Sequence, residues 1–275
     1  VTALLFALAT VIPFRWTPGQ IEVQVSVNGA APAWFVVDTG AEYSILDRQL
    51  ADSLGLETFE RWNRSFARGV ALRIGGVELR DQEVMIMKLD NFRRQGRSIA
   101  GLVGYDFFAR NAVRIDYAAQ TLTIGAKPPP SATVVPLTFA GRLAVVPVTI
   151  ALAGGAPLRA NVIIDTGAQQ AMILRRPFAR KHGLIEAAAD QPTTTSESVD
   201  RGRTEFLTLP AGRITLSRWS FDEPRIKIYG HDVGAGGSSE TDGLLGNEIL
   251  RHFVVTVDYA HARMILEPAA KYHSR

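Results

Sequence analysis

Cysteine is absent from the 275 residues, which removes disulfides, thiolate metal ligands and cysteine nucleophiles together. That absence does not fix a compartment, because a chain this long buries a core without bridges. Histidine is scarce: His182, His231, His252, His261 and His273 are the only five, with no His-Glu-x-x-His or paired spacing. A metal hydrolase is therefore disfavoured, and no metal or other cofactor is expected. Charge of one sign is lacking too, since 30 Lys+Arg face 27 Asp+Glu and leave a formal +3 with no basic block. A nucleic-acid groove is not expected. No apolar run is long enough to span a bilayer. The Gly-rich run Gly234–Ser239 lacks the Gly-Lys-Ser/Thr ending of a phosphate loop and reads as a surface loop. Val1–Ala9 is uncharged and apolar and closes on the small-x-small Ala7-Leu8-Ala9. It reads as the tail of a signal peptide, so residues 1–10 are set aside as a leader remnant, with export to a periplasm or the exterior expected.

What is present is written twice. Val36-Val37-Asp38-Thr39-Gly40-Ala41 recurs as Ile163-Ile164-Asp165-Thr166-Gly167-Ala168, and Gly101-Leu102-Val103-Gly104 recurs as Gly243-Leu244-Leu245-Gly246. The segments after the second motif align without a gap, Asp116-Tyr117 against Asp258-Tyr259 included, and the second copy holds 15 more residues between its motifs. A lone Asp-Thr-Gly arises by chance about 0.06 times in a chain of this length. Two copies at equivalent places in a repeat, each with its own hydrophobic-hydrophobic-Gly element, are not a chance pattern. Between the copies runs Gly125–Ala132, whose three consecutive prolines cannot extend a helix or donate to a ladder. The expected organisation is a lobe over 11–126, a Pro-rich linker at 127–132, a second lobe over 133–268 and a tail at 269–275.

Each lobe reads mostly as strand. Ile21–Val27 alternates apolar and polar before an Asn28-Gly29 turn. Trp34–Val37 and Val162–Ile164 are short apolar runs entering the two aspartates. Val70–Ile74, Val77–Leu79 and Val84–Leu89 predict further strands, and Val113–Ile124 and Val254–Leu266 predict later ones folded at their Asp-Tyr-Ala turns. Helices are expected over Asp47–Leu54, with Asp47 as N-cap and Gly55 as stop, over Arg176–His182, and briefly after Gly104 and Gly246. The fold class is all-β, with two related lobes. The Asp-Tyr pairs are read as turn residues and not as a second acid pair.

In these motifs the sequence resembles the aspartic peptidases, in particular the retropepsin-like ones whose active-site loop reads Asp-Thr-Gly-Ala. The resemblance covers nearly all of Pro13–Pro268 and implies a fused, single-chain version of their bilobal fold, a monomer with an internal pseudo-dimer. It assigns Asp38 and Asp165 as the catalytic dyad. Thr39 and Thr166 match the threonines that hydrogen-bond between the loops, Gly40 and Gly167 the tight-turn glycines, and Ala41 and Ala168 the residues that close each motif. Gly104 and Gly246 end the strands that cross under each aspartate. The implied substrate is an extended peptide or protein segment in the cleft between lobes. Hairpin flaps are expected at Arg61–Val70 and Thr193–Arg203, where Trp62 or main chain stands in for the tyrosine of the pepsin flap.

The residue types suit that chemistry on their own terms. Amide hydrolysis without metal or nucleophile needs one group to deprotonate water and another to protonate the carbonyl oxygen. Two adjacent carboxylates cannot both ionise easily and so share a proton, for which aspartic peptidases are the standard case. Ala41 and Ala168 supply no hydroxyl to stabilise the carboxylate anion, which predicts a mildly acidic optimum. Two rival functions remain at this level: an inactive peptide-binding module of the same fold, and a processing peptidase with a single protein partner.

Overall fold

The computed structural model describes residues 9–17, 19–152, 155–198, 202–209, 212–232 and 239–269. The leader-like residues 1–8, the tail residues 270–275 and most of the Gly-rich run lie outside the described residues. Thr10, counted above with the leader, instead heads a strand that pairs Thr10–Pro13 with Thr121–Ile124. Among the described residues no helix is long and apolar enough to cross a membrane.

The described residues build three sheets. One sheet of eight strands takes all its members from Arg15–Val103, and a larger one takes all of its own from Thr138–Leu245. The doubling of the sequence is visible in their centres. In the first, Ala33–Val37 runs parallel to Gly101–Val103, which pairs antiparallel with Ile45–Asp47, which in turn is parallel to Val77–Met87. In the second, Leu158–Ile164, Gly243–Leu245, Met172–Leu174 and Ile226–Tyr229 repeat that order and those directions. These central strands are continuous apolar runs because both of their faces are covered. Val36, Val37, Leu102 and Val103 are buried, as are their counterparts Ile163, Ile164, Leu244 and Leu245.

The third sheet joins the halves. Its six strands run in the order Thr10–Pro13, Thr121–Ile124, Val113–Asp116, Phe253–Asp258, Arg263–Pro268, Thr133–Pro136. At its centre Val113 pairs with Val257, Arg114 with Thr256 and Ile115 with Val255. Those residues are equivalents of one another in the repeat, so the pairing is self-complementary and the local twofold passes through Arg114 and Thr256.

The local elements follow their sequence signals with three differences. Asn28 and Gly29 both have positive φ, as the two-residue hairpin turn requires. Asp47 caps the helix Arg48–Ser53 by accepting from the Gln49 N–H at 3.0 Å, and Gly55 follows at φ +62°. Short helices follow Gly104 and Gly246 as Tyr105–Phe108 and Asn247–Leu250. The first difference is that Val77–Leu79 and Val84–Leu89 form one strand, Val77–Met87, whose partner Arg64–Ile74 absorbs the interruption as register shifts around Val70. The second is that Leu89 is not strand. It leads into the helix Asp90–Arg94, and its N–H is taken by the Asp47 carboxylate at 2.8 Å. The third is that Gly183 stops the helix Arg176–Lys181 but also opens the short helix Leu184–Ala187.

Candidate active site

Each Asp-Thr-Gly loop is carried out of the end of a buried strand and anchored by the strand beneath it. The Asp38 N–H donates to the Val103 carbonyl and the Asp165 N–H to the Leu245 carbonyl, both at 2.9 Å. Gly104 and Gly246 are required there by close approach. A Cβ on Gly104 would lie 2.5 Å from the Tyr43 carbonyl oxygen, and one on Gly246 2.3 Å from that of Gln170. A side chain at either position would collide with backbone next to its own Asp-Thr-Gly loop.

The two loops interlock. The Thr39 hydroxyl donates to the Ile164 carbonyl at 2.7 Å and accepts the Thr166 N–H at 3.0 Å. The Thr166 hydroxyl mirrors it, donating to the Val37 carbonyl at 2.8 Å and accepting the Thr39 N–H at 3.0 Å. Both threonines are 1% exposed, so none of these four bonds competes with water. Above them the glycines let the carboxyl groups meet. A Cβ on Gly40 would fall 2.7 Å from Asp165 Cγ, and one on Gly167 would fall 2.6 Å from Asp38 Cγ. The structure thus brings together all eight loop residues singled out in the sequence.

The carboxyl groups themselves are partly exposed and share a hydrogen bond. Burial of the site pushes Asp38 well above the usual carboxylate range, the adjacent Asp165 charge adds to it, and one bond from the Gly40 N–H at 2.8 Å opposes it. Burial also raises Asp165, opposed by the Gly167 N–H at 2.8 Å, the hydrogen bond from Asp38 and the Ala168 N–H at 3.0 Å. The pair therefore holds a proton more readily than free aspartate does. Tyr259, buried nearby, feels both charges, and its own hydroxyl is held protonated by burial first and by those charges next. Among the described residues no cluster of three or more His, Asp or Glu could hold a metal ion.

Two residues near the loops were not singled out in the sequence. Gln20 donates its amide to the Gly167 carbonyl across the lobes. Asn247 donates to the Thr166 carbonyl at 2.6 Å and to that of Gly19 at 2.9 Å, while accepting the Tyr117 hydroxyl at 2.8 Å. Tyr117 is therefore an interlobe contact as well as a turn residue. Asp116 and Asp258 do serve turns: Asp116 accepts the Ala118 and Ala119 N–H groups, and Asp258 accepts from His261 and Arg263.

Both expected flaps are hairpins. Thr58–Arg61 pairs with Arg64–Ile74 around a Trp62-Asn63 tip, and Thr194–Ser198 pairs with Gly202–Thr208; residues 199–201 between them lie outside the described residues. Trp62 is 71% exposed, with the Arg61 guanidinium 4.3 Å from its ring.

Comparison with known proteins agrees with this geometry. Residues 23–107 match the family model described as aspartyl protease, a span that takes in the first Asp-Thr-Gly loop and Gly101–Gly104. Among solved structures the chain is similar to the aspartic proteinase from Irpex lacteus, with a TM-score of 0.56 and 14% identity, over 96% of this chain and 98% of that one. The chain therefore has the bilobal all-β fold of the aspartic proteinases. No curated protein matches it.

Proposed function

From an aspartic peptidase family, which both comparisons support for this chain, we propose that the protein is an aspartic endopeptidase hydrolysing peptide bonds with Asp38 and Asp165 as its acid–base pair. The observation that carries this reading is the mutual approach of the two carboxyl groups, each lying over the opposite loop's glycine, on loops locked by the threonines.

The asymmetry of the pair assigns roles. Asp165 accepts two backbone N–H groups and Asp38 one, so Asp165 carries the negative charge and Asp38 the proton. Asp165 takes a proton from a water held between the carboxyl groups, and the resulting hydroxide equivalent attacks the scissile carbonyl carbon. Asp38 gives its proton to the carbonyl oxygen, so the tetrahedral intermediate is a neutral gem-diol. The proton now on Asp165 passes to the amide nitrogen as the C–N bond breaks, and Asp38 recovers one from the diol. Water is the attacking group, so no acyl-enzyme forms. The substrate lies extended between the lobes, held by main-chain bonds under the hairpins Thr58–Ile74 and Thr194–Thr208. In this reading the protein is an exported monomer.

The test is cleavage of a mixed peptide library from about pH 3 to 8 by wild type, Asp38→Asn and Asp165→Asn, with and without a statine-type inhibitor. Cleavage by wild type at mildly acidic pH, abolished by either substitution and by the inhibitor, is the expected result. Folded wild type that cuts nothing while still retaining peptides on a column would replace this reading with a binding module.

A further inference from the structure

The loops around Asp38 and Asp165 come from a repeat, yet their surroundings are unequal in one consistent direction. Two peptide units donate N–H groups to the Asp165 carboxylate: Thr166–Gly167, through the Gly167 nitrogen, and Gly167–Ala168, through the Ala168 nitrogen. The carbonyl end of each unit is capped by a side-chain amide. Asn247 Nδ2 donates to the Thr166 oxygen and Gln20 Nε2 to the Gly167 oxygen. A peptide whose oxygen accepts a hydrogen bond is a stronger donor at its nitrogen, so both caps strengthen the bonds to Asp165.

Among the described residues the first loop has neither cap. The residue after Gly104 is Tyr105, where the residue after Gly246 is Asn247. Strand register pairs Glu22 with Val36 and Val145 with Ile163, which makes Leu143 the counterpart of Gln20. Neither Tyr105 nor Leu143 carries an amide. Among the described residues Asp38 receives the Gly40 N–H alone from the backbone: the Ala41 and Ala168 N–H groups each reach their own loop's aspartate carbonyl at 3.3 Å, and Ala168 bonds the carboxylate as well, at 3.0 Å.

Gln20 is also aimed. Its Oε1 accepts from Arg97 Nη1 at 2.6 Å, and Arg97 is fixed by two bonds to Glu22, one from Nε at 2.9 Å. A guanidinium has no acceptor and a carbonyl no donor, so this arrangement admits one orientation of the amide, with Nε2 toward Gly167. Glu22 is fully buried and pairs also with Arg15, whose guanidinium lies 3.9 Å from the Trp34 ring. Burying the Arg97–Glu22 ion pair for stability alone is an inefficient use of a core.

We propose that Gln20, oriented by Arg97 and Glu22, is a positioning residue for Asp165: by capping the Gly167 carbonyl it strengthens the Ala168 N–H bond and makes Asp165, not Asp38, the charged member of the pair. The idea rests on the endopeptidase reading for its chemical meaning, but its test does not need activity. The titratable groups facing Asp165 are Asp38 and, nearby, Tyr259, with the Arg97–Glu22–Arg15 cluster one residue removed behind Gln20.

The experiment is a titration of carboxyl-13C aspartate by NMR in wild type, Gln20→Met and Gln20→Glu, with Asp38→Asn and Asp165→Asn supplying the assignments. In wild type the lower of the two apparent steps should be carried mainly by Asp165. In Gln20→Met that step should rise by up to roughly half a unit, because the Ala168 bond is weakened and not lost. Gln20→Glu should raise it further, because an ionised side chain there has no proton to donate. A lower step carried by Asp38, or one that stays in place in either folded variant, overturns the proposal. Thermal unfolding of the same samples separates a shift in titration from a loss of fold, and the wild-type assignment decides the matter even if both variants unfold. An uncut peptide library alongside a shifted Gln20→Met titration would sink the endopeptidase reading and leave this one standing.

Discussion

Thr39 and Thr166 each commit one hydroxyl to two bonds on the opposite loop, with water excluded from both. Valine has the same shape without the hydroxyl, so Thr39→Val would strand the Ile164 carbonyl and the Thr166 N–H. A buried group left unpaired costs about 1–3 kcal/mol, which puts each single valine in that range or above. The bonds of one threonine hold the loop that the other needs, so the two losses should not add. Urea unfolding of Thr39→Val, Thr166→Val and the double variant measures this, and a coupling of at least about 0.5 kcal/mol is expected. Strict additivity would mean the loops are held independently. The carboxyl pair makes a second residue-level prediction. Asp38 and Asp165 are both raised above their unfolded value of 3.8, chiefly by burial. Between the unfolded and folded values the native state binds more protons than the unfolded one. Their contribution is thus fully present below pH 3.8 and is lost as pH rises through the folded values. Asp38→Asn removes that term, so its stability relative to wild type should increase with pH over the same window. A difference in urea midpoint that stays flat or runs the other way would contradict the raised values. The duplicated residues were legible in the sequence because two copies vouched for each other. Gln20 and Asn247 were not, because each acts from one copy and has a chemically different counterpart in the other.

At the scale of elements, periodicity found most strands, and the misreadings share a cause. The polar run Arg80–Glu83 separates the apolar residues of Val77–Met87, yet Gln82 within it is buried and its amide donates to the Arg80 carbonyl. A local side-chain bond of that kind leaves no trace in a hydropathy pattern. The helix Asp90–Arg94 was missed because what fixes its start is remote in sequence: the Asp47 carboxylate, which takes the Leu89 N–H and also an Arg93 contact. The hairpin Thr58–Ile74 was legible as a segment, whereas its tip geometry was not. Trp62 and Asn63 both have positive φ, 52° and 56°. Asparagine tolerates that region, but tryptophan pays about 1–2 kcal/mol for it. The ring recovers part of that cost from the Arg61 guanidinium 4.3 Å away, but at 71% exposure most of its surface faces solvent, where a ligand could meet it. Trp62→Gly should therefore leave thermal stability unchanged or slightly higher. If the hairpin covers the substrate, the same change should raise KM several-fold and leave kcat largely intact. Steady-state kinetics on the best library peptide checks this, and an unaltered KM would remove Trp62 from the substrate path.

On the scale of the whole molecule, the covalent link between lobes is slight beside the non-covalent one. The Pro-rich segment 127–132 contributes no strand or helix, whereas the halves share a six-stranded sheet, the threonine lock and several side-chain bonds. Arg114 donates to both oxygens of Glu267 at 3.1 and 3.0 Å, Arg142 reaches Asp106 at 3.5 Å, and Asn247 and Gln20 bond carbonyls across the interface. The self-complementary register about Arg114 and Thr256 is what two separate copies would form as a symmetric dimer. Covalent fusion frees the two sides to differ, and the unequal support of Asp38 and Asp165 is a difference that an identical pair could not encode. The linker then serves chiefly to raise the effective concentration of one half for the other. A protease site inserted within 127–132 and cut after folding should accordingly leave the halves together on a sizing column, with cleavage of the library peptide retained. The cut protein should refold from urea with a midpoint that depends on protein concentration, since reassembly becomes bimolecular. Halves that separate under native conditions would show instead that the linker holds the interface shut.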